Sequence, residues 1–171
     1  MKWKKRIGIG LVSVVILLLL FFVWYKDTYS MKIVEELEIN SPMEKYRMLI
    51  ATQGSEFKEA LSTAVIEKYK EGSFYIEVID VTSLPKIDSK DYDVIVLLHT
   101  WENWDPPMEV AAFVGQNKYQ LDKIVVVTTS GNGSYKMPEV DAITGESILS
   151  KMPDVAREVI LRIDTILEKK N

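Results

Sequence analysis

The chain of 171 residues contains no cysteine and a single histidine, His99. The lack of cysteine excludes disulfides, thiol catalysis, a cysteine-linked lipid anchor and cysteine-ligated iron–sulfur clusters. With one histidine, a multi-histidine metal site is impossible, and a serine–histidine triad would have to run through His99. The sequence therefore predicts no metal site, and it identifies no catalytic residue.

Charge is missing from one long stretch, Ile7–Trp24, which holds 18 residues. As a helix it would measure about 27 Å, close to the thickness of the hydrocarbon core of a bilayer. Lys2, Lys4, Lys5 and Arg6 precede it, and basic flanks stay in the cytoplasm. We therefore expect a single-pass anchor in the cell membrane, with the C-terminal domain extracytoplasmic. A cleavable signal peptide is the alternative, but its apolar region is normally shorter and followed by small residues.

The predicted organisation is an anchor over 1–25, a juxtamembrane stalk over 26–45 and one domain over 46–171. All 25 acidic residues but only 17 of the 21 basic residues follow Trp24, which leaves that part of the chain with a net charge of −8. An acidic surface disfavours nucleic acid and favours a basic protein partner. The same charge is also what an ordinary solvated surface carries.

Short apolar stretches alternate with helical patterns throughout the domain. This alternation predicts an α/β fold with a five-stranded parallel sheet, preceded by the transmembrane helix. Apolar residues on both faces of a strand indicate a sheet covered on both sides. The predicted strands are 47–51, 74–81, 92–98, 124–129 and 140–144, and helices are predicted to begin near Ser55, Pro106 and Pro153.

Three loops are expected to form a ligand site, because parallel sheets bind ligands beyond the carboxyl ends of their strands. The first opens a helix, whose amides attract anions. The second carries two indoles that suit a flat ligand, and the third is glycine-rich, so its backbone can approach a ligand closely. The candidate contact residues are Thr52, Gln53, Gly54, Ser55 and Glu56; Thr100, Trp101, Glu102, Asn103 and Trp104; and Ser130, Gly131, Asn132, Gly133 and Tyr135.

From about Arg47 onward the chain resembles the flavodoxin-like family. The segment TWENWDPP looks like the tryptophan-and-proline loop of that family, and TTSGNGS looks like the loop after its fourth strand. The resemblance implies a three-layer α/β/α sandwich with strand order 2-1-3-4-5. It also implies bound flavin mononucleotide (FMN), with Trp101, Trp104 and Tyr135 contacting the flavin ring and the phosphate in the first loop.

The first loop departs from the family pattern. The family favours Ser/Thr-x-Thr-Gly-x-Thr, whose hydroxyls bind the phosphate, whereas Ala51, Gln53 and Glu56 replace those three positions here. Glu56 would repel a dianion, while Thr52 and Ser55 can compensate in part. Two functions follow: an FMN protein that transfers electrons or reduces a small acceptor, or a flavin-free interaction module that has lost the phosphate site.

Two further residues carry open alternatives. The segment VDAITGES resembles the acceptor motif of proteins that hold FMN through a phosphoester, which would make Ser147 the attachment residue. The other interpretation is a fifth strand followed by a turn. His99, at the end of a buried strand, either bonds a ligand or is a structural histidine. The oligomeric state, the redox partner and the substrate are not encoded in any recognisable motif.

Overall fold

The computed structural model describes residues 2–29, 31–102 and 104–170, and the side chains of residues 2–5, 7, 9 and 25–29 lie outside this description. The chain forms two compact units, Met1–Met31 and Lys32–Asn171. The first unit is one helix, α1 (Lys2–Tyr29). Among the described residues, no helix is both long enough and apolar enough to cross a bilayer, so the predicted transmembrane helix is not found.

The second unit is built on a six-stranded sheet, so the prediction of five strands is wrong by one. The order is β1-β3-β2-β4-β5-β6, and all neighbouring pairs are parallel except β1 with β3. The strands are β1 (Leu37–Ile39), β2 (Tyr46–Thr52), β3 (Phe74–Asp80), β4 (Val94–Thr100), β5 (Ile124–Thr129) and β6 (Ala142–Gly145).

The additional strand, β1, comes from the segment predicted as a stalk. Leu37 and Ile39 lie opposite Val78 and Ile76 of β3, and the short strand covers an otherwise open edge of the sheet. The five parallel strands keep the order 2-1-3-4-5 that the resemblance implies. The fold is thus α/β, and its sheet is compatible with a flavodoxin-like arrangement.

Helices lie on both faces of the sheet. On one face α2 (Glu56–Tyr69) and α4 (Met152–Lys170) cover apolar residues that include Ile50 and Val96. On the other face α3 (Met108–Gln116) and the 3₁₀ segment Val81–Lys86 cover residues that include Leu49 and Leu97. Alternate residues of β2 and β4 therefore enter two separate cores, which explains why these strands are apolar on both sides.

No helix lies between β5 and β6, and only 3₁₀ turns connect β3 to β4, within residues 31–102 and 104–170. Both connections lie on the face covered by α3, so this layer is thinner than the opposite one. The carboxyl ends of β2, β4, β5 and β6 share one edge of the sheet because these strands are parallel. We call this the carboxyl edge, and it carries the loops predicted as the site.

Candidate functional site

The loops after β2, β4 and β5 converge at the carboxyl edge. The Gln53 side-chain oxygen accepts a hydrogen bond from the Thr100 amide at 2.7 Å, which joins the first loop to the second. The Trp101 amide donates to the Thr129 carbonyl at 2.7 Å, which joins the second loop to β5. The first two loops are thus joined by a direct bond, and the stack of Trp101 on Tyr135 brings the second loop against the third.

The backbone of the first loop is already paired. The Gly54 amide donates to the Lys32 carbonyl at 2.7 Å, and the Lys32 amide donates to the Gly54 carbonyl at 3.1 Å. The Gln53 amide donates to Leu98, and the Ser55 hydroxyl caps α2 by accepting from the Lys58 amide. Lys32, the first residue of the segment 32–36, which we call the strap, therefore occupies the Gly54 amide of the loop that was predicted to hold a phosphate.

The strap has further attachments along its length. The Val34 amide donates to the Asp80 carboxylate at 2.9 Å, and the Ser83 hydroxyl donates to the Glu36 carboxylate at 3.0 Å. Asp80 ends β3, the neighbour of β2, so the strap crosses the ends of two adjacent strands before it continues into β1. Its position is fixed by several independent bonds rather than by the contact at Gly54 alone.

We expect Gly54→Ala to displace the strap. A Cβ at this position would lie 2.5 Å from the Lys32 carbonyl oxygen, too close for any real contact. Loss of the two backbone hydrogen bonds is expected to lower the free energy of unfolding by about 1–3 kcal/mol. Urea unfolding measures the change, and faster hydrogen exchange at the Lys32 amide reports the displacement.

Gly115→Ala is the matched control for that substitution. Gly115 lies within α3 and has open space around the position of a Cβ, so its replacement should raise helix stability by about 0.5–1 kcal/mol. Equal effects of the two substitutions would contradict the role assigned to the Gly54 contact.

Lys58 is the residue of this region that the sequence interpretation missed. It is 1% exposed, and its ammonium donates to the Thr100 hydroxyl at 2.5 Å and lies 3.4 Å from the Ser55 hydroxyl. Burial lowers the pKa of Lys58 to about 8, and the charge of Glu102 opposes that shift. Its spacing from Leu61, Ser62 and Val65 already places it on the buried stripe of α2, which was the available signal.

Three aromatic rings meet in the loops that follow Thr100 and Thr129, and we call Trp101, Trp104 and Tyr135 the aromatic tip. Trp101 and Tyr135 stack with ring centroids 5.8 Å apart and planes 13° from parallel. Trp104 meets Tyr135 edge-on at 6.2 Å and 84°. The indole of Trp104 is 80% exposed, whereas Trp101 and Tyr135 are half-buried. The tip therefore combines a supporting stack with one outward-facing ring.

These residues do not fit FMN as they are arranged. A ring inserted between Trp101 and Tyr135 needs two stacking distances, about 7 Å in total, whereas their centroids are 5.8 Å apart. The phosphate would also have to replace Lys32 at Gly54. Insertion of the flavin ring would require the ring stack to open, and a phosphate at the Gly54 amide would require the strap to move.

Trp104 has a backbone φ of +69°, in the left-handed region that bulky residues rarely adopt. Two backbone hydrogen bonds between Glu102 and Asp105, each 3.0 Å, hold the turn in this shape. We expect Trp104→Gly to be more stable than Trp104→Ala by about 1 kcal/mol, because only glycine relieves the strain. Denaturant unfolding of the two variants isolates the backbone effect, since both remove the same indole.

The third loop is held by local bonds. The Ser130 amide donates to Gly145 of β6 at 3.0 Å, and the Asn132 side-chain oxygen accepts from the Ser130 hydroxyl and from the Ser134 amide. Gly133 has φ +68°, and a Cβ there would press against Glu146 at 3.2 Å. Gly131 has open space around it. The glycine pattern thus serves a tight turn at Gly133 more clearly than close approach to a ligand.

The remaining predicted residues divide by location. Thr52 is buried at the end of β2, and Glu56 is exposed at the start of α2. Ser147 is exposed in the loop after β6, close to the third loop through the Gly133–Glu146 contact. Asn103 lies outside the described residues. Neither Thr52 nor Glu56 is aimed at the aromatic tip by any described contact.

His99 is 0% exposed, and its Nε2 lies 2.9 Å from the Thr128 hydroxyl. Burial lowers the pKa of His99 to about 4, so the imidazole is neutral at pH 7. Its environment is the interior of the sheet, which corresponds to the structural alternative. Among the described residues, no group of three or more acidic or histidine side chains is placed to hold a metal ion.

In comparisons with known proteins, no family model matches this chain and no curated sequence matches it significantly. The fold and site define an α/β domain with a mostly parallel sheet, carrying an aromatic tip at the carboxyl edge. The assignment of a function therefore depends on the geometry of this edge.

Proposed function

We propose that residues 32–171 form a flavin-free, flavodoxin-like interaction module whose contact surface is the aromatic tip. The observation that carries this proposal is the pairing of Lys32 with Gly54, because the chain itself takes the Gly54 amide, a donor that a phosphate in this loop would use. The closed stack of Trp101 on Tyr135 supports it independently. Trp104 supplies an exposed indole, a side chain that is enriched at the centres of protein interfaces.

FMN titration of the purified full-length protein tests this proposal. We expect no quenching of flavin fluorescence, no flavin absorption in the isolated protein and no thermal stabilisation at saturating FMN. Since a ligand at 100 times its dissociation constant stabilises by about 2.7 kcal/mol, the thermal measurement is sensitive. Stoichiometric FMN binding to the wild-type protein would overturn the proposal.

An FMN-dependent electron carrier or reductase is the second candidate function. The convergence of the three loops at one edge, through Gln53–Thr100 and Trp101–Thr129, favours it, because that edge is where open α/β sheets bind ligands. Covalent attachment at the exposed Ser147 is part of this candidate. Mass spectrometry of the denatured protein separates the cases, since a phosphoester-linked flavin would persist and Ser147→Ala would remove it.

We further propose that α1 attaches the module to the cell membrane, with residues 32–171 outside the cytoplasm. Support comes from its side chains between Leu11 and Trp24, where every large apolar residue is at least half exposed. Such a continuous apolar surface is unfavourable in water. The test is membrane fractionation followed by alkaline extraction. Release of the full-length chain into the aqueous fraction would contradict attachment.

A further inference from the structure

We propose that the aromatic tip binds arginine side chains of a basic partner protein. This inference rests on the proposed function as an interaction module and names the chemistry of the partner. It depends on three features of the described residues: an exposed indole, a one-sided charge pattern around it, and a rigid support beneath it.

The exposed ring is Trp104, and its neighbourhood presents more apolar surface. Met108, at the start of α3, is 78% exposed, and Tyr135 presents its ring to Trp104 edge-on. The turn holds Trp104 at φ +69° despite the strain. Because strained backbone persists mainly where the surrounding structure over-determines it, this turn fixes the direction of the indole rather than leaving it to solvent.

The exposed charge next to Trp104 in this segment is acidic, whereas the charge of Glu102 also interacts with the buried Lys58. Glu102, Asp105 and Glu109 lie within residues 101–117, which contain no lysine or arginine. Asp105 is exposed and Glu109 is half-buried. Lys136, which follows Tyr135, is the nearest basic residue in the third loop. A cationic group is the chemical complement of an acidic rim around an electron-rich ring.

Arginine fits this combination better than lysine. The guanidinium is planar, so it can stack on the face of an indole while its N–H groups still point sideways to carboxylates. The carboxylate of Asp105, next to Trp104 in the chain, is exposed and can accept such hydrogen bonds. A lysine ammonium can satisfy a carboxylate or lie over a ring, but its compact, strongly hydrated charge offers no flat surface for stacking.

The support beneath the ring gives the tip its fixed shape. Trp101 stacks on Tyr135, and the Trp101 amide is bonded to Thr129. The hydroxyls of Thr100 and Thr129 lie 3.0 Å apart below the tip. A preformed surface loses little conformational entropy on binding, so a few contacts are enough for measurable affinity.

The experiment titrates the full-length protein in detergent with an arginine-rich peptide, using calorimetry at low salt. A lysine-rich peptide of equal length and charge and a neutral glucose oligosaccharide are titrated in parallel. We expect the arginine peptide to bind about tenfold more tightly than the lysine peptide, and the oligosaccharide not to bind. Affinity should also fall as salt screens the acidic rim.

The variants locate the site. Trp104→Ala is expected to lower the affinity for the arginine peptide by about tenfold or more, and Asp105→Asn is expected to lower it by a few-fold. Tyr119→Ala is the matched control, because Tyr119 is an aromatic residue outside the aromatic tip, is 87% exposed, and should leave affinity unchanged. Both Trp104 and Asp105 are exposed, so circular dichroism should show intact folding of the variants.

Several outcomes would overturn the inference: equal affinity for the two peptides, oligosaccharide binding that depends on Trp104, or an equal loss in Tyr119→Ala. FMN binding by the wild-type protein would contradict the proposed function instead. A protein that binds neither FMN nor the arginine peptide would retain the proposed function and refute only this inference. The two failures are therefore distinguishable.

Discussion

Between pH 7 and pH 4, the free energy of unfolding is expected to fall by about 3 kcal/mol more in the wild-type protein than in a His99→Gln variant. Burial lowers the pKa of His99 to about 4 from an ordinary value of 6.5. Between these two pH values the imidazole is protonated in the unfolded chain and neutral in the folded protein. The contribution of His99 to the free energy of unfolding is therefore fully present above pH 6.5 and is lost as the pH falls towards 4.

Urea unfolding of both proteins at a series of pH values measures this difference. His99 is the only histidine of the chain, so no other imidazole contributes. Glutamine can place an amide nitrogen near the Thr128 hydroxyl and does not titrate, and the carboxylates common to both proteins cancel in the comparison. Parallel pH profiles would show that the imidazole is not buried as described.

A Lys58→Met variant should differ from the wild-type protein in the opposite pH range. Burial lowers the pKa of Lys58 from 10.5 to about 8, so the unfolded chain holds the proton between those two values while the folded protein releases it. Stability of the wild-type protein relative to the variant should rise by about 2 kcal/mol from pH 7.5 to pH 10. Below pH 8 the difference should be nearly constant.

Lys68→Met is the control for Lys58→Met, because Lys68 is an exposed lysine in the last turn of the same helix. This variant removes one positive charge from the surface of α2 and leaves Lys58 in place. The three tyrosines whose pKa values are raised, Tyr69, Tyr75 and Tyr92, are present in all three proteins, so their contributions cancel. A Lys58→Met profile that follows the Lys68→Met profile would mean that the Lys58 ammonium reaches solvent.

The two pH experiments also bear on the carboxyl edge. Lys58 bonds to Thr100, and its charge also contributes to the lowered pKa of His99 after burial. Both groups therefore lie in one polar network beneath the aromatic tip. Because the Lys58 charge lowers the pKa of His99, Lys58→Met should raise that pKa, and NMR titration of the imidazole can detect the change.

Much of the sheet could be predicted from local patterns. The apolar run at residues 124–129 coincides with β5, and the periodicity after Ser55 coincides with α2, whose N-cap is Ser55. These elements are recognisable because their core-facing residues recur at the period of the strand or helix itself. The position of the loops followed from the same patterns, since parallel strands end at one edge.

The strap and β1 could not be predicted in this way. The Lys32–Gly54 pairing consists of backbone hydrogen bonds, which leave no side-chain pattern in the sequence. In β1 only three residues pair, and just one of them, Ile39, is half-buried. A strand that short and exposed lacks the alternation that distinguishes a strand from a charged linker.

The sequence by itself determined the order of the five parallel strands and of the helices between and after them, the absence of cysteine chemistry and the placement of tryptophans after a central strand. Only the tertiary structure decided that the first loop is paired with the strap, that Trp101 stacks on Tyr135 and that the Lys58 ammonium bonds to Thr100. The physical reason is the separation along the chain between the residues that interact. Elements form from neighbours a few residues apart, whereas the partners that close this edge come from distant parts of the chain and meet only when the sheet has assembled.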